Sequence, residues 1–198
     1  METPRLRQVL ERIDQLNRED PHRVAVEGEA QPWEWCYAEW VTAWVMRLNP
    51  AASEALRIAA RGQHVRRWTI PRDRYERTRR GYLRWRETLK TFHAQTVAEL
   101  MREVGYPAAI IERVQAIMSK RGLREDPETQ TLEDALCLVF LERQWASLRE
   151  KTPPQTMRDI LRKTWQKMSA QGRAAALALP LTEAERRELL DALSGDTG

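Results

Sequence analysis

The chain has 198 residues, 42% of them hydrophobic and 31% charged, with a formal net charge of +4. That length allows one large domain or two small ones, and the composition is that of an ordinary globular protein. The longest apolar runs, ALCLVFL and AAALALPL, fall far short of the roughly 20 residues a membrane span needs.

The N-terminus, METPRLRQVLERIDQ, lacks the apolar run of a signal peptide. Cys36 and Cys137 both lie in apolar stretches, with no CxxC pair, and read as small buried thiols. The expectation is a cytoplasmic protein with no membrane contact.

Scarce glycine and abundant Arg, Glu, Ala and Leu favour helix. Residues 5–17 are amphipathic, with Leu6, Val9, Ile13 and Leu16 on one stripe. Asp20-Pro21-His22 breaks that helix, and a loop with Gly28 and Pro32 follows. A second helix is expected over 33–48, where Trp33, Tyr37, Trp40, Val41 and Trp44 form a stripe that reads as core. Asn49-Pro50 opens a third helix, running to about Trp68, and Pro71 breaks the chain again.

Residues 83–105 make a long helix closed by Gly105, and Pro107 opens another that closes at Gly122. Thr131 and Asp134 read as a capping box for LEDALCLVFLERQWASLREK, the expected central buried helix. Thr156 with Asp159 and Thr182 with Glu185 suggest two further caps, and the tail SGDTG is expected to fray. No segment alternates convincingly as a strand. The expected fold is all-α: one compact domain of seven to nine helices over 1–198, with 182–194 as an appended C-terminal helix.

Familiar catalytic motifs are missing. There is no GxGxxG, Walker A, HExxH or GxSxG. The fragments IMSKRG and QKMSAQG look like the signature loop of class I aminoacyl-tRNA synthetases, but they sit on helical patterns without a nucleotide-binding βαβ unit.

The chemistry concentrates around two histidines. His64 follows Leu56 and Ala60 at i+4 steps, and His93 precedes Val97, Leu100 and Val104 at helical steps, so both face inward. Glu133 and Asp134 begin the most apolar helix. Two inward imidazoles and an inward carboxylate on separate helices are the donor set of a divalent metal site. The same residues also have a plain structural reading: hydrogen-bonded core histidines, an Asp134 that only caps, and a Glu133 that favours a helix N-terminus.

The stretches YAEWVTAWVMRLNPAASEALRIAARGQHVRRWTIPR, GYLRWRETLKTFHAQ, QTLEDALCLVFLE and DILRKTWQKMSAQG carry a resemblance. Over residues 37–180 the chain resembles an uncharacterised bacterial and fungal family known only as a domain of unknown function. Some of its members carry a glutamyl-tRNA synthetase label, which the residues here do not support.

The order His64, His93, Asp134 is also similar to the HD-domain superfamily of all-α, metal-dependent phosphohydrolases. Val65 stands where that pattern has aspartate, and no histidine lies near Tyr37 to Glu39. The resemblance therefore implies either a single divalent metal, held by His64, His93 and Asp134 or Glu133 with Glu39 as a helper, or an HD-like fold without metal.

Charge supplies the other half. Residues 61–86 hold ten arginines against two acids, a local +8 in a chain whose remainder is −4. Such a field favours an anionic partner. Arg66, Arg67, Arg72, Arg80, Arg84 and Lys90, with Trp68, are the expected substrate-binding residues, since guanidinium grips phosphate bidentately. Trp68, Tyr75, Tyr82 and Trp85 are interleaved and suited to stacking on a base.

Two functions follow as expectations. One is a metal-dependent hydrolase of a phosphorylated, nucleotide-like substrate, with Glu133 and Asp134 catalytic and His64, His93 and Asp134 as metal ligands. The other is a non-catalytic protein that binds RNA, tRNA or another polyanion through 61–86.

Overall fold

The computed structural model describes residues 2–194. It is 71% helical, with ten α-helices and one two-stranded sheet among the described residues. The tail expected to fray lies outside the described residues from position 195 onward. No described helix is long and apolar enough to cross a membrane. The chain divides into two compact units, Met1–Leu132 and Glu133–Gly198.

In the first unit, α1 (Pro4–Arg18) starts at a Thr3 cap and buries Leu6, Val9 and Ile13. The segment expected to be a loop is instead a hairpin, β1 (Arg23–Val26) paired antiparallel with β2 (Glu29–Pro32). Glu27 and Gly28 both take positive φ, 51° and 87°. That pair is the left-handed turn that matches strand twist. Strands of four residues carry too few alternations to register as a period.

Helix α2 (Trp33–Leu48) has the expected bounds and buries Cys36, Tyr37, Val41 and Val45. Helix α3 (Glu54–Arg61) is shorter than expected and ends at Gly62, not near Trp68. A Cβ at Gly62 would lie 2.3 Å from Val97 Cγ2, so close approach to the next long helix demands glycine here. Beyond it Arg66 is left-handed at φ 54°, and short 3₁₀ turns at Arg67–Thr69 and Arg72–Arg74 carry the chain on.

Helix α4 (Arg79–Glu103) then begins at a Thr78 cap, four residues before the expected start. Helix α5 (Ala108–Met118) follows Pro107. The core of this unit gathers Leu56, Ile58, Val97, Met101, Val114 and Ile117, all fully or almost fully buried.

Helix α6 (Pro127–Val139) corrects the expected cap. Asp126 accepts the N–H groups of Glu128 and Thr129, so the helix starts there. Thr131 is inside it, and its hydroxyl bonds back to the Pro127 carbonyl at 2.8 Å.

In the second unit a π-helical stretch, Phe140–Gln144, leads into α7 (Trp145–Arg149). Helix α8 (Pro154–Lys167) follows Pro153, so Thr156 and Asp159 fall inside it and do not cap it. Met168 is extended, and α9 (Ala170–Leu177) starts afresh at a Ser169 cap. Helix α10 (Glu183–Ser194) has the expected capping box, with Thr182 N–H donating to Glu185 and Glu185 N–H to the Thr182 hydroxyl. Trp145, Leu138, Met157 and Leu161 make its core.

Candidate functional site

The polar centre of the first unit forms where α2, the turn after α3, and α4 meet. Glu34 comes from the first turn of α2, His64 from the turn after Gly62, Arg67 from the following 3₁₀ turn, and His93 from the middle of α4. His64 is stacked on Tyr37, rings nearly parallel at 6° with centroids 4.1 Å apart. The His64 and His93 rings lie 5.9 Å apart, so the two histidines come together, although His64 stands in the turn beyond α3 and not on the helix face its spacing from Leu56 and Ala60 implied.

Hydrogen bonds assign the protons. His93 Nδ1 lies 2.8 Å from the Val65 carbonyl and donates to it. Its Nε2 is then a bare lone pair, buried without a hydrogen-bond partner. Arg67 donates to His64 Nε2 at 3.1 Å, so His64 carries its proton on Nδ1. That Nδ1 faces Glu34 Oε2 at 3.2 Å, and neither atom makes a well-aligned hydrogen bond.

Burial sets the charges. Glu34 is 5% exposed, and loss of solvent raises its pKa to about 8 against the opposing pull of Arg67. The Asp20 carboxylate adds to the rise and His22 opposes it. The Arg67–Glu34 contact is long, 3.9 Å, so near neutral pH this carboxyl leaves the guanidinium uncompensated. Asp20 fixes the backbone here, accepting the N–H groups of His22 and Glu34 at 2.9 Å each.

Both imidazoles are held neutral. Desolvation, then the charges of Arg67, Lys120 and Arg86, keep His64 well below the usual histidine range, although its side chain keeps 21% of its surface open. Desolvation takes His93 down to about 3. The charges that hold His64 neutral thus act at a polar centre whose Arg67 side chain stays 32% exposed.

The expected substrate-binding residues part company. Arg67 stands at the polar centre, with its guanidinium over the Trp85 ring at 4.9 Å. Arg66 places its backbone N–H on Asn17 Oδ1 at 3.3 Å, and its Nε is buried without a hydrogen-bond partner. Arg72 is engaged by the carbonyls of Tyr75 and Glu76. Arg80 and Arg84 are exposed on α4, Lys90 pairs with Glu87 at 2.8 Å, and Trp68 is half-buried. Trp85 is no stacking surface: it is buried and donates to the Ile70 carbonyl at 2.9 Å.

Glu133 and Asp134 belong to the second unit. Asp134 accepts the Ser169 N–H at 2.8 Å and the Ser169 hydroxyl at 2.5 Å. Glu133 lies 3.8 Å from Lys167. Glu39, the expected helper, pairs with Arg61, which also grips Asp14 through two nitrogens.

Among the described residues, no three or more His, Cys, Asp or Glu side chains gather so as to hold a metal ion. The donors present do not fit one either. A guanidinium occupies His64 Nε2, and Ser169 takes both oxygens of Asp134.

Glu34, Arg86 and Lys120 were not legible as site residues. A glutamate in a first helical turn reads as an exposed partner of the helix dipole. The flanking tryptophans of WEWC were the one signal that this one is buried.

A family model matches residues 7–189, a longer span than the resemblance read at 37–180. The chain belongs to the DUF4202 family, a domain of unknown function. No curated protein and no solved structure matches it. The family match embraces the Glu34–His64–His93 centre, the arginine segment and nearly all of the second unit.

Proposed function

We propose that the first unit binds a phosphorylated, nucleotide-like ligand at the recess of His64, Arg67 and His93. The observation that carries the reading is the geometry around His64: Arg67 donates to its Nε2 at 3.1 Å, a buried Glu34 oxygen lies 3.2 Å from its Nδ1, and the His93 ring is 5.9 Å away. Arg67 is the principal phosphate-binding group: its side chain is 32% exposed and Trp85 holds its plane. His93 Nε2 accepts a hydroxyl of the ligand, which supplies the donor that lone pair lacks.

The second reading is hydrolysis of that ligand, favoured by the pairing of a raised acid, Glu34, with an unpartnered imidazole nitrogen. A histidine held near 3 is a weak base in the ligand-free protein, so binding is the primary reading. The donors present do not fit a divalent ion, since Arg67 occupies His64 Nε2 and Ser169 takes both oxygens of Asp134.

Calorimetric titration with a panel of nucleoside mono- and diphosphates and pyrophosphate tests the proposal. The expected result is binding by the wild type and at least a tenfold loss in Arg67→Met, which keeps the stacked volume over Trp85. Equal affinity in both proteins, or no binding by the wild type, overturns it. Phosphate release with and without added Mn²⁺ or Mg²⁺, in wild type and His93→Gln, separates binding from turnover.

A further inference from the structure

We infer that loop 72–78 and the first two turns of α4 form a preformed platform for single-stranded nucleic acid, which shares Arg86 with the His64 recess but none of that recess's hydrogen-bonding groups. Over residues 72–86 the chain carries seven arginines and only two acids, Asp73 and Glu76. Arg74, Arg77, Arg79, Arg80 and Arg84 are exposed, and among the described residues none of them enters an ion pair. They form an uncompensated cationic surface, not a face laced with internal salt bridges.

The surface is built, not floppy. The Arg72 guanidinium donates to the carbonyls of Tyr75 at 2.8 Å, Glu76 at 2.7 Å and Thr78 at 3.5 Å, folding the loop around itself. The loop then seats on α4: a Cβ at Gly81 would lie 2.2 Å from the Glu76 carbonyl oxygen. Only glycine permits that approach. The fold fixes where the arginines stand before any ligand arrives, which lowers the cost of ordering them on binding.

An aromatic ring stands among these charges. Tyr82 is 42% exposed, with the guanidinium groups of Arg72 and Arg86 at 6.0 and 5.8 Å from its ring centre. A ring open to solvent between phosphate-binding groups is the arrangement that stacks an unpaired base. A duplex keeps its bases stacked on each other and has no use for the ring. A bilayer surface would want a wide apolar face, and here only Tyr82 and Leu83 are exposed large apolar side chains. An acidic protein segment would use the arginines but not the ring.

Fluorescence anisotropy of the full chain with labelled 12-nucleotide oligo-U and oligo-dT, at 50 and 200 mM KCl, tests the inference. Binding is expected to weaken steeply with salt, as counterion release from a single strand requires. The Arg80→Glu/Arg84→Glu double variant should lose at least tenfold. Tyr82→Ala should lose roughly five- to a hundredfold and Tyr82→Phe should restore most of it, as stacking predicts. All three side chains changed are exposed, and circular dichroism confirms the fold.

Duplex DNA, poly-glutamate and phosphatidylserine vesicles are the competing arms. No binding at 50 mM KCl, indifference to Tyr82→Ala, or equal affinity for any competing arm overturns the inference. Arg67→Met and His93→Gln should bind the oligonucleotides as the wild type does, so failure here and failure of the recess proposal are told apart.

Discussion

At the scale of single residues, burial decides more than identity. Glu34 and Glu87 are both glutamates on helices, yet Glu34 is 5% exposed and Glu87 pairs with Lys90 on the surface. Because the folded pKa of Glu34 is raised, the unfolded chain holds fewer protons between the two values and folding stability falls as pH rises through that window. The buried histidines act oppositely: their folded pKa values are lowered, so their stabilisation is present above about 6.5 and lost as pH falls below it. Between pH 7 and 8 Glu34 is the main titrating group of the three, because the unfolded histidines are already mostly neutral there. Wild type should therefore lose about 1 kcal/mol over that range, and Glu34→Gln should lose none. Urea unfolding at the two pH values measures this.

Arg61 makes the same point with the opposite sign. It lies within the arginine-rich segment, but it is buried and bonds to Asp14 and Glu39. Arg61→Met strands Asp14, itself 9% exposed, and should cost about 3 to 5 kcal/mol in denaturant unfolding. Arg80→Met, on the exposed face, should change stability by less than about 0.5 kcal/mol.

At the scale of elements, caps and close contacts set where helices begin and end. In the second unit Asp134 joins α6 to α9 through the Ser169 N–H and hydroxyl, while the Ser169 hydroxyl accepts the Gly172 N–H. Asp134→Ala should cost about 2 kcal/mol, the worth of charge-assisted bonds to a buried carboxylate. Gly172→Ala should loosen the same junction, because its Cβ would lie 2.5 Å from Asp134 Cγ. Faster amide hydrogen exchange across Ala170–Leu177 in either variant is the expected readout.

At the same scale the sequence was legible where local signals were strong and unopposed. The bounds of α2 and the Thr182–Glu185 box follow from periodicity and capping chemistry alone. Helix α3 stops early for a non-local reason, the approach of Val97 to Gly62, which no window around Gly62 contains. The start of α6 was misplaced because Thr131 with Asp134 mimics a box that Asp126 in fact supplies.

At the scale of the whole molecule, Cys36 and Cys137 are free and buried, 4% and 6% exposed, one in each unit. Neither thiol should react with a disulfide reagent in the native protein on the timescale of mixing, and both should react once it is unfolded in denaturant. Time-resolved thiol titration checks this, and a separate rate for each would report the opening of each unit.

The sequence by itself determined that this protein is helical, that His93 faces inward from its helix, and that cationic charge is concentrated in 61–86. Those properties are functions of composition and of spacing along one element, so a linear reading reaches them. Only the tertiary structure decided which charges share a place. Glu34 and Arg67 are far apart along the chain and meet at the His64 imidazole, whose charging Lys120 and Arg86 also oppose, while Arg61 and Arg72 are turned to structural bonds. Electrostatic field and solvent exposure depend on distance through space, and distance along the chain says little about either.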